Sequence, residues 1–501
     1  MSRTTPRRTT TVRLLLAPLV GLIAGALAFL LLGPVAPTLG AVRGDAALAG
    51  QAASALQRRA GFDRVSVARL DDGRVTWAGF GDVSPTTRFE LGSITKTFDG
   101  FLLSDAVRRG EVRLDAPVST YLTELAGTPA GGVTLAELVS HRGGLPPIAR
   151  QDYADLLPSQ YAGTTPREYT DSTPESVIAA TKGVELVGRG AFHYSNLGAA
   201  LLGHALARAG GVRDWPTYVR QRLWEPLGMT ATQVAPANTP ASDLVVAHSP
   251  GGVREQPWTG AGGYAPAGLG VTTTTADLET YARAILDGRI PGADALTPRW
   301  DAEVGGLPPM RIGLAWITLD AGGHPWAWHN GGTGGFRTIL LLDRDAHRAA
   351  IMLSNTAQDP TFAAFRLLGS DAMPPTLPGS VPYSAPFALV AALAALLFAW
   401  SSVRGRHRLK LVGRGGWALG TLALWWVAAS WDMFPAWMFG AAAGLVAGAA
   451  VAAGVRWKSL PWWPAKRRPL AAIAAALGVV VLVACLAFAV VVAVAAAGVR
   501  S

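Results

Sequence analysis

Cysteine is almost absent from this 501-residue chain, because Cys485 is the only one. It lies in an apolar stretch without a partner for an internal disulfide, so a folded domain of this chain must be stable through its hydrophobic core. Paired cysteines and the His-Glu-x-x-His pattern are also missing, and the histidines show no spacing typical of metal ligands. We therefore expect no metal site and no cofactor.

Charged residues are few, at 16% of the chain, and they are unevenly placed. The basic residues that produce the net charge of +10 are concentrated in three segments, at residues 1–13, 404–414 and 456–468. The rest of the chain is net negative, which gives no support to nucleic-acid binding. We therefore expect no nucleic-acid partner, and the sequence leaves the oligomeric state open.

Long apolar runs are what the sequence has in abundance. Residues 14–32 form an unbroken apolar stretch behind Arg7, Arg8 and Arg13, which predicts a membrane-spanning signal anchor. A signal peptide cleaved within the small residues of 33–41 is the alternative. Four further spans are predicted at residues 386–400, 416–430, 434–455 and 470–499. The first two of these are short, and a buried helix is the alternative for each one taken alone.

Positive charge alternates between the ends of these predicted spans. The three basic segments lie at one set of ends, whereas the turn 431–435 holds only the acidic Asp432. The positive-inside rule then places the N-terminus in the cytoplasm, and the large segment after the first span and the C-terminus outside. The spans carry almost no ionisable residues, so anchoring in the lipid bilayer is expected rather than ion transport. The predicted organisation is a basic tail (1–13), a signal anchor (14–33), a linker (34–50), a large domain (51–370), a Pro-rich linker (371–385) and a four-helix membrane domain (386–501).

The large domain contains a Ser-Ile-Thr-Lys motif at residues 93–96. Two apolar runs joined by Asp71-Asp72-Gly73 predict a β-hairpin before it, and apolar spacing after Thr97 predicts a helix. Ser93 and Lys96 then lie on one helical face, where the helix dipole favours a developing anion. A lysine beside a serine can take the hydroxyl proton and make the serine a nucleophile.

Two further motifs follow in order along the chain. Tyr194-Ser-Asn196 precedes an Ala/Leu-rich helix, and a tyrosine near a serine–lysine pair can relay a proton if positive charge lowers its pKa. A buried tyrosine and a helix-capping asparagine are the alternative. His329-Asn-Gly331 lies in a glycine-rich stretch between apolar runs, where an edge strand could offer a backbone amide to an oxyanion. A glycine-rich hairpin without a ligand is the alternative there.

With all three motifs in this order, residues 51–356 resemble the class C β-lactamase and D-alanyl-D-alanine carboxypeptidase-like serine hydrolases, which are related to penicillin-binding proteins. The resemblance implies an α/β (α+β) fold, an antiparallel sheet flanked by helices plus a helical lobe, to which this chain adds all-α transmembrane segments. It also implies Ser93 as acylated nucleophile, Lys96 as proton acceptor and Tyr194 as relay base. Substrate contacts would come from Asn196, from His329 and Gly331 in the edge strand, and from Gly332, whose amide would form the oxyanion hole with that of Ser93.

The third motif begins with His329 where β-lactamases of the family have lysine. A neutral imidazole binds a carboxylate less strongly than an ammonium does, which favours the carboxypeptidase and esterase branches. The expected function is a membrane-anchored serine hydrolase acting on amides or esters, mainly D-amino-acid peptides or esters of cell-wall origin, at the outer face of the membrane. A β-lactamase proper, and a non-catalytic sensor or binding module, are the alternatives.

Overall fold

The computed structural model describes residues 6–33, 36–56, 61–149, 166–236, 239, 241–248, 254–304, 307–321, 323–374, 381–428, 434–463 and 469–498. The chain divides into two compact units. The larger unit comprises Thr38–Ser249 and Val253–Thr376, and the helical unit comprises Met1–Pro37, Pro250–Gly252 and Leu377–Ser501.

The strands of the larger unit form an antiparallel sheet and two small ribbons. They are β1 (Val42–Gly44), β2 (Val65–Asp71), β3 (Arg74–Phe80), β4 (Arg88–Glu90), β5 (Gln233–Val234), β6 (Ala247–His248), β7 (Arg254–Glu255), β8 (Val271–Thr274), β9 (Trp300–Ala302), β10 (Met310–Ile312), β11 (Ile317–Ala321), β12 (His324–Gly332), β13 (Arg337–Asp343) and β14 (Arg348–Ser354). The main sheet has the order β1-β3-β2-β14-β13-β12-β11-β10-β9, while β4, β8 and β5 form a second sheet and β6 pairs with β7.

The helices belong to both units. In chain order they are α1 (Pro6–Leu32), α2 (Ala46–Ala55), α3 (Thr95–Arg108), α4 (Leu135–Val139), α5 (Arg167–Thr170), α6 (Pro174–Thr181), α7 (Asn196–Ala209), α8 (Trp215–Val219), α9 (Glu225–Leu227), α10 (Thr275–Leu286), α11 (Thr361–Leu367), α12 (Val381–Arg404), α13 (Arg408–Ala428), α14 (Ala436–Trp457) and α15 (Pro469–Gly498). The expected antiparallel sheet flanked by helices is confirmed.

The main sheet is buried on both faces, which explains why its central strands are apolar throughout. Along β13, Ile339 and Leu341 belong to one core cluster, which also contains residues of α2 and α11. Leu340 and Leu342 belong to the other, which contains residues of α3, α7 and α10. Successive residues of a strand point to opposite faces, so this one strand contributes to both cores. The second core cluster thus contains α3, which begins two residues after Ser93.

The hairpin predicted before Ser93 is also present. β2 and β3 pair from Val65 with Phe80 to Asp71 with Arg74. The turn places Asp72 and Gly73 at positive φ, a conformation that Asp and Gly adopt more readily than most residues. A local sequence signal was sufficient here, because the turn type alone fixes the register of a two-residue hairpin.

The helical unit contains α1 and α12 to α15. In α1 and α14, glycines meet at close range: a Cβ added at Gly21 would lie 2.8 Å from the Gly444 carbonyl oxygen, and one at Gly25 would lie 2.8 Å from that of Gly440. The pairing runs in opposite directions along the two helices, so they are antiparallel. Such glycine stripes let helix backbones approach closely, as is common between membrane helices.

Two stretches of the helical unit, Ala385–Arg404 and Ala436–Trp457, are long and apolar enough to cross a membrane. Shorter apolar stretches lie at Leu16–Leu32 and Ala472–Ala484 among the described residues. Apart from Phe434 and Pro435, which precede α14, the five stretches predicted as spans are helical where they are described, and two of them meet the length and hydropathy expected of a span. Residues 429–430 and 499 of the predicted spans lie outside the described residues.

Candidate active site

Ser93 lies at the junction of β4 and α3. After β4 the chain passes through Leu91 into a 3₁₀ turn, Gly92–Ile94, which continues directly into α3. Gly92 has a φ of +61°, and a Cβ there would lie 2.6 Å from the backbone nitrogen of Gly332. Glycine is therefore required at position 92 both by its conformation and by the close approach of β12.

The hydroxyl of Ser93 receives hydrogen bonds from two of the residues predicted to act with it. Lys96 Nζ lies 2.9 Å from Ser93 Oγ, and the Tyr194 hydroxyl lies 2.7 Å from the same atom. Lys96 Nζ also donates to the carbonyl oxygen of Ala267 at 2.7 Å. The structure thus brings Ser93, Lys96 and Tyr194 together, although Tyr194 is separated from Ser93 by 101 residues.

Lys96 is a buried ammonium, with only 1% of its surface exposed. Burial lowers the pKa of Lys96 to about 7, and the nearby Asp99 carboxyl opposes this shift. Asp99 lies three residues further along α3 and accepts a hydrogen bond from Trp215 Nε1 at 2.6 Å. Lys96 can therefore take up and release a proton near neutral pH, as a general base must.

Tyr194 is held over the site by His141 and Lys96. The His141 ring packs against the Tyr194 ring with centroids 4.4 Å apart, and Lys96 Nζ lies 5.0 Å from the Tyr194 ring centroid. Tyr194 remains 38% exposed, yet desolvation raises the pKa of its hydroxyl above the ordinary value, while the Ser93 hydrogen bond lowers it. The condition for a proton relay, a pKa lowered by positive charge, finds no support in this shift, whose causes are burial, the Ser93 hydroxyl and the nearby Tyr169.

Asn196 begins α7, but it does not cap that helix. Ser195 is the N-cap, because its hydroxyl accepts from the Gly198 amide at 3.0 Å. The Asn196 amide nitrogen donates to the Tyr169 hydroxyl at 3.1 Å, and its buried oxygen has no hydrogen-bond partner among the described residues. Asn196 therefore keeps an amide oxygen available beside the cleft.

A small cleft opens beside Ser93. It is lined by Gly92, Ser93, Tyr169, Asn196, Trp258, Tyr264, Ala267, Gly268, Leu269, Gly332 and Thr333. Tyr169 packs against Trp258 and Tyr264 with ring centroids 5.3 and 5.1 Å away, so one wall of the cleft is aromatic. Asn196 and Gly332 of the predicted substrate-binding residues line the cleft, whereas His329 and Gly331 do not.

The sequence predicted that the third motif lies in an edge strand. It lies in β12, which is an inner strand of the main sheet. β12 pairs with β13 along one side, while on its other side β11 covers its first residues, ending where Ile317 pairs with Trp328. Among the described residues, no strand pairs on that side with the end of β12, from His329 to Gly332. The prediction therefore describes the motif residues but not the whole strand, because nothing local to this stretch shows that residues 317–321 pair with its first residues.

Gly331 and Gly332 are the closest approach of β12 to the Ser93 turn. A Cβ at Gly331 would lie 2.1 Å from the Leu91 carbonyl oxygen and 3.1 Å from the Ser93 backbone nitrogen. The adjacent Gly332 nitrogen lies beside Gly92, as described above. The backbone amides of Ser93 and Gly332 therefore lie close together at the cleft, an arrangement that can stabilise an oxyanion.

His329 is buried, with 2% of its surface exposed. Its Nδ1 lies 2.6 Å from the carbonyl oxygen of Asn330, and because a carbonyl can only accept, Nδ1 carries the proton in this contact. Burial lowers the pKa of His329 to about 4, and the nearby Lys96 charge adds to the effect. The imidazole is therefore neutral at physiological pH and supplies no charge to a substrate carboxylate.

Several groups around the site were not found from the sequence. Glu90 and Asp99 are buried carboxyls on either side of Ser93, and Tyr169 forms a wall of the cleft. The only sequence signal for the two acids was their position within the apolar surroundings of the Ser93 motif. Among the described residues no cluster of His, Cys, Asp and Glu could hold a metal ion.

The family profile described as Beta-lactamase matches residues 50–369. The chain belongs to the beta-lactamase family. Its curated relatives include a beta-lactamase of Escherichia coli (strain K12), 44% identical over 78 residues, which are 14% of this chain and 20% of that protein. An unguisins hydrolase of Aspergillus campestris is 27% identical over 336 residues, 59% of each chain. This beta-lactamase-family chain thus spans from a fifth to about three fifths of these relatives' lengths.

Solved structures confirm the fold of the family member described here. A class C beta-lactamase from Rhodobacter sphaeroides superposes with a TM-score of 0.53 at 20% identity, covering 65% of this chain and 97% of that one. A beta-lactamase/D-alanine carboxypeptidase from Pseudomonas syringae gives a TM-score of 0.54 at 20% identity, with 65% and 99% covered. The family is one of serine hydrolases that act on small-molecule or peptide substrates.

Proposed function

We propose that this protein is a membrane-tethered serine hydrolase that works through an acyl-enzyme on Ser93. The observation that carries the proposal is the pair of hydrogen bonds that Lys96 and Tyr194 make to Ser93 Oγ. An unactivated serine would need neither group, whereas a nucleophile needs a base and a second proton carrier.

In the first step neutral Lys96 takes the proton of Ser93 as Oγ attacks an amide or ester carbonyl. The negative charge on the carbonyl oxygen is stabilised by the amides of Ser93 and Gly332. Tyr194, whose hydroxyl is protonated in the free enzyme, donates that proton to the leaving group and takes a proton back from the Lys96 ammonium. Water then attacks the acyl-enzyme, with its proton returning along the same groups, and Ser93 is regenerated.

The proposed substrates are D-amino-acid peptides or esters, with a cell-wall-derived peptide as one source. The neutral His329 supports substrates whose recognition does not depend on a carboxylate, since no ammonium stands at that position. An aromatic wall formed by Tyr169 and Trp258 supports a side chain with apolar surface next to the reacting carbonyl. A β-lactamase proper is the second candidate, supported by the family relatives named above.

The helical unit is proposed to anchor the enzyme in the membrane, with the hydrolase at its outer face. Two observations support an alternating topology. Arg456 donates to the carbonyl oxygen of Gly405 and the amide of Arg408 donates to that of Pro461, so the two basic connections lie at one end of the unit. At the other end Trp426 Nε1 donates to the Leu32 carbonyl oxygen. In this arrangement α1 is a retained anchor rather than a cleaved signal.

The proposal is tested by acylation. Purified full-length protein is exposed to a fluorophosphonate probe and to a panel of β-lactams and D-alanyl esters, and the modified residue is mapped by mass spectrometry. We expect a single adduct on Ser93, and none in Ser93→Ala. Ser176, an exposed serine on α6, gives the matched control Ser176→Ala, which should be labelled like the parent. A parent chain that no acylating probe modifies would favour the non-catalytic binding module instead.

A further inference from the structure

Glu90 is a buried carboxyl that the proposed chemistry does not use. It is the last residue of β4, two positions before Gly92, and only 2% of it is exposed. Its Oε1 accepts a hydrogen bond from the backbone nitrogen of Trp258 at 2.5 Å, and its buried Oε2 has no partner of hydrogen-bonding geometry among the described residues. Burying a carboxyl is costly unless hydrogen bonds or a paired charge offset the lost hydration, so a buried carboxyl with one unpartnered oxygen calls for an explanation.

The second neighbour of this carboxyl is Thr333. Its hydroxyl is also buried and, like Glu90 Oε2, has no partner of hydrogen-bonding geometry among the described residues. Burial raises the pKa of Glu90 to about 7, and the Thr333 hydroxyl and the Trp258 amide act against that rise. Thr333 directly follows Gly332, and its carbonyl oxygen accepts from Arg337 Nη1 at 2.6 Å. Arg337 thus holds the Thr333 carbonyl oxygen, while the Thr333 hydroxyl and Glu90 Oε2 are both buried polar atoms.

Both contacts of Glu90 line the cleft beside Ser93, on different chain segments. Trp258 lies in the loop that packs against Tyr169, and Thr333 directly follows the strand that carries the proposed oxyanion amide. Glu90 itself does not line the cleft and lies buried next to these two lining residues. Its burial keeps the carboxyl away from substrate, so any effect on the reaction must pass through these two residues.

We propose that Glu90 is a positioning residue that holds Trp258 and Thr333, and with Thr333 the Gly332 amide, at the spacing required to acylate Ser93. This inference rests on the proposed function, because it presumes that Ser93 is acylated. A protonated carboxyl can accept from the Trp258 amide and donate to the Thr333 hydroxyl at once. Glutamine can do the same, whereas leucine leaves the Trp258 amide without its acceptor.

The test is the rate of Ser93 acylation by a fluorophosphonate, resolved into the maximal rate and the probe concentration at half-maximal rate. The full-length protein is compared with Glu90→Leu, Glu90→Gln, Thr333→Val and the Glu90→Leu/Thr333→Val double variant. Glu124→Gln is the matched control, because Glu124 is an exposed glutamate paired with Arg208. Thermal melting of every variant shows whether it is folded.

We expect Glu90→Leu to lower the maximal rate by about 10- to 100-fold, the loss typical of small misplacements in a site, with little change in half-saturation. Glu90→Gln should stay within about threefold of the parent, since it keeps both contacts. The double variant should be about as slow as the slower single variant, because the two residues act as one unit. Glu124→Gln should acylate at the parental rate.

Parental acylation in Glu90→Leu would overturn the inference, as would a Glu90→Gln variant as slow as Glu90→Leu or fully additive losses in the double variant. If Glu90→Leu does not fold, Thr333→Val decides: slow acylation with a parental melt supports the inference, and a parental rate overturns it. A parent chain that is never acylated would instead refute the proposed function, and this inference with it.

Discussion

Lys96 must lose its proton while it is enclosed by protein. Its ammonium contacts are the Ser93 hydroxyl and the Ala267 carbonyl oxygen, and neither is an anion. The nearest carboxyl on its own helix, Asp99, hydrogen-bonds to Trp215 instead. Poor solvation of the charged form therefore outweighs the attraction of Asp99, and the neutral base becomes accessible near pH 7.

The pH dependence of the reaction follows from this residue. Since the neutral form of Lys96 is the active one, kcat/KM should fall about tenfold per pH unit below about 7 and level off above it. Lys96→Arg should lose at least about 100-fold activity, because a guanidinium stays protonated throughout this range. Steady-state kinetics on an ester substrate from pH 5 to 9 measure both effects.

Lys182 provides the control for that experiment, because it is an exposed lysine on the same unit. Lys182→Arg should reproduce the parental profile. A flat profile between pH 5 and 8, or parental turnover in Lys96→Arg, would remove Lys96 from the role of base.

Spacing along one helix made Ser93 and Lys96 predictable, since residues three apart share a face whatever the rest of the fold does. Tyr194 could be placed near them only through its motif. Glu90 and Asp99 were beyond reach, because what makes them notable is burial against Trp258 and Trp215, more than 100 residues away. A sequence shows which carboxyls exist but does not show which ones the fold removes from water.

At the scale of elements, secondary structure set by residues within one segment could be predicted. Pairing or packing with a distant segment could not. The β2–β3 hairpin and the helix after Ser93 were both predictable from turn residues and apolar spacing. The edge predicted for β12 holds only for its last residues, because the cover of its first residues by β11 depends on pairing between separate segments. The close helix packing that the glycines of α1 and α14 allow likewise could not be predicted from either helix alone.

Gly444 lies at the centre of that helix pair. A Cβ there would lie 2.5 Å from the Gly21 carbonyl oxygen and 3.0 Å from the Gly25 Cα, so Gly444→Ile must separate α1 from α14. We expect a loss of about 1–3 kcal/mol of stability, typical of overpacking. Thermal melting in detergent measures it, and the fluorescence of the many tryptophans of the helical unit reports the transition.

Gly454 is the matched control, since it lies in the same helix and a Cβ there meets nothing within 4 Å. Gly454→Ile should melt like the parent. Equal melting of the Gly444→Ile variant and the parent would show that the α1–α14 contact contributes nothing to the unit.

At the scale of the whole molecule, the proposed topology makes a prediction that does not depend on catalysis. Reporter fusions in the connections 404–414 and 456–468 should report a cytoplasmic location, and fusions after Thr356 or at Ser501 an external one. The reason is the concentration of basic residues in the connections proposed to lie inside, against the lone Asp432 in the turn proposed to lie outside. Alkaline phosphatase and a fluorescent protein serve as paired reporters.

Each fusion site is its own control, because the two reporters must give opposite signals at the same position. External signals from the basic connections would invert the orientation. A substrate in the cytoplasm would then have to replace the envelope substrate proposed above.

The antiparallel contact between α1 and α14 also has a consequence for synthesis. Gly25 and Gly440 are more than 400 residues apart, because the whole hydrolase unit is inserted between the two parts of the helical unit. At about 5–20 residues per second, the ribosome needs roughly 20 to 80 s to make that interval. In the proposed membrane topology α1 must therefore wait for α14, and until then its glycine stripe would face lipid or a helper protein.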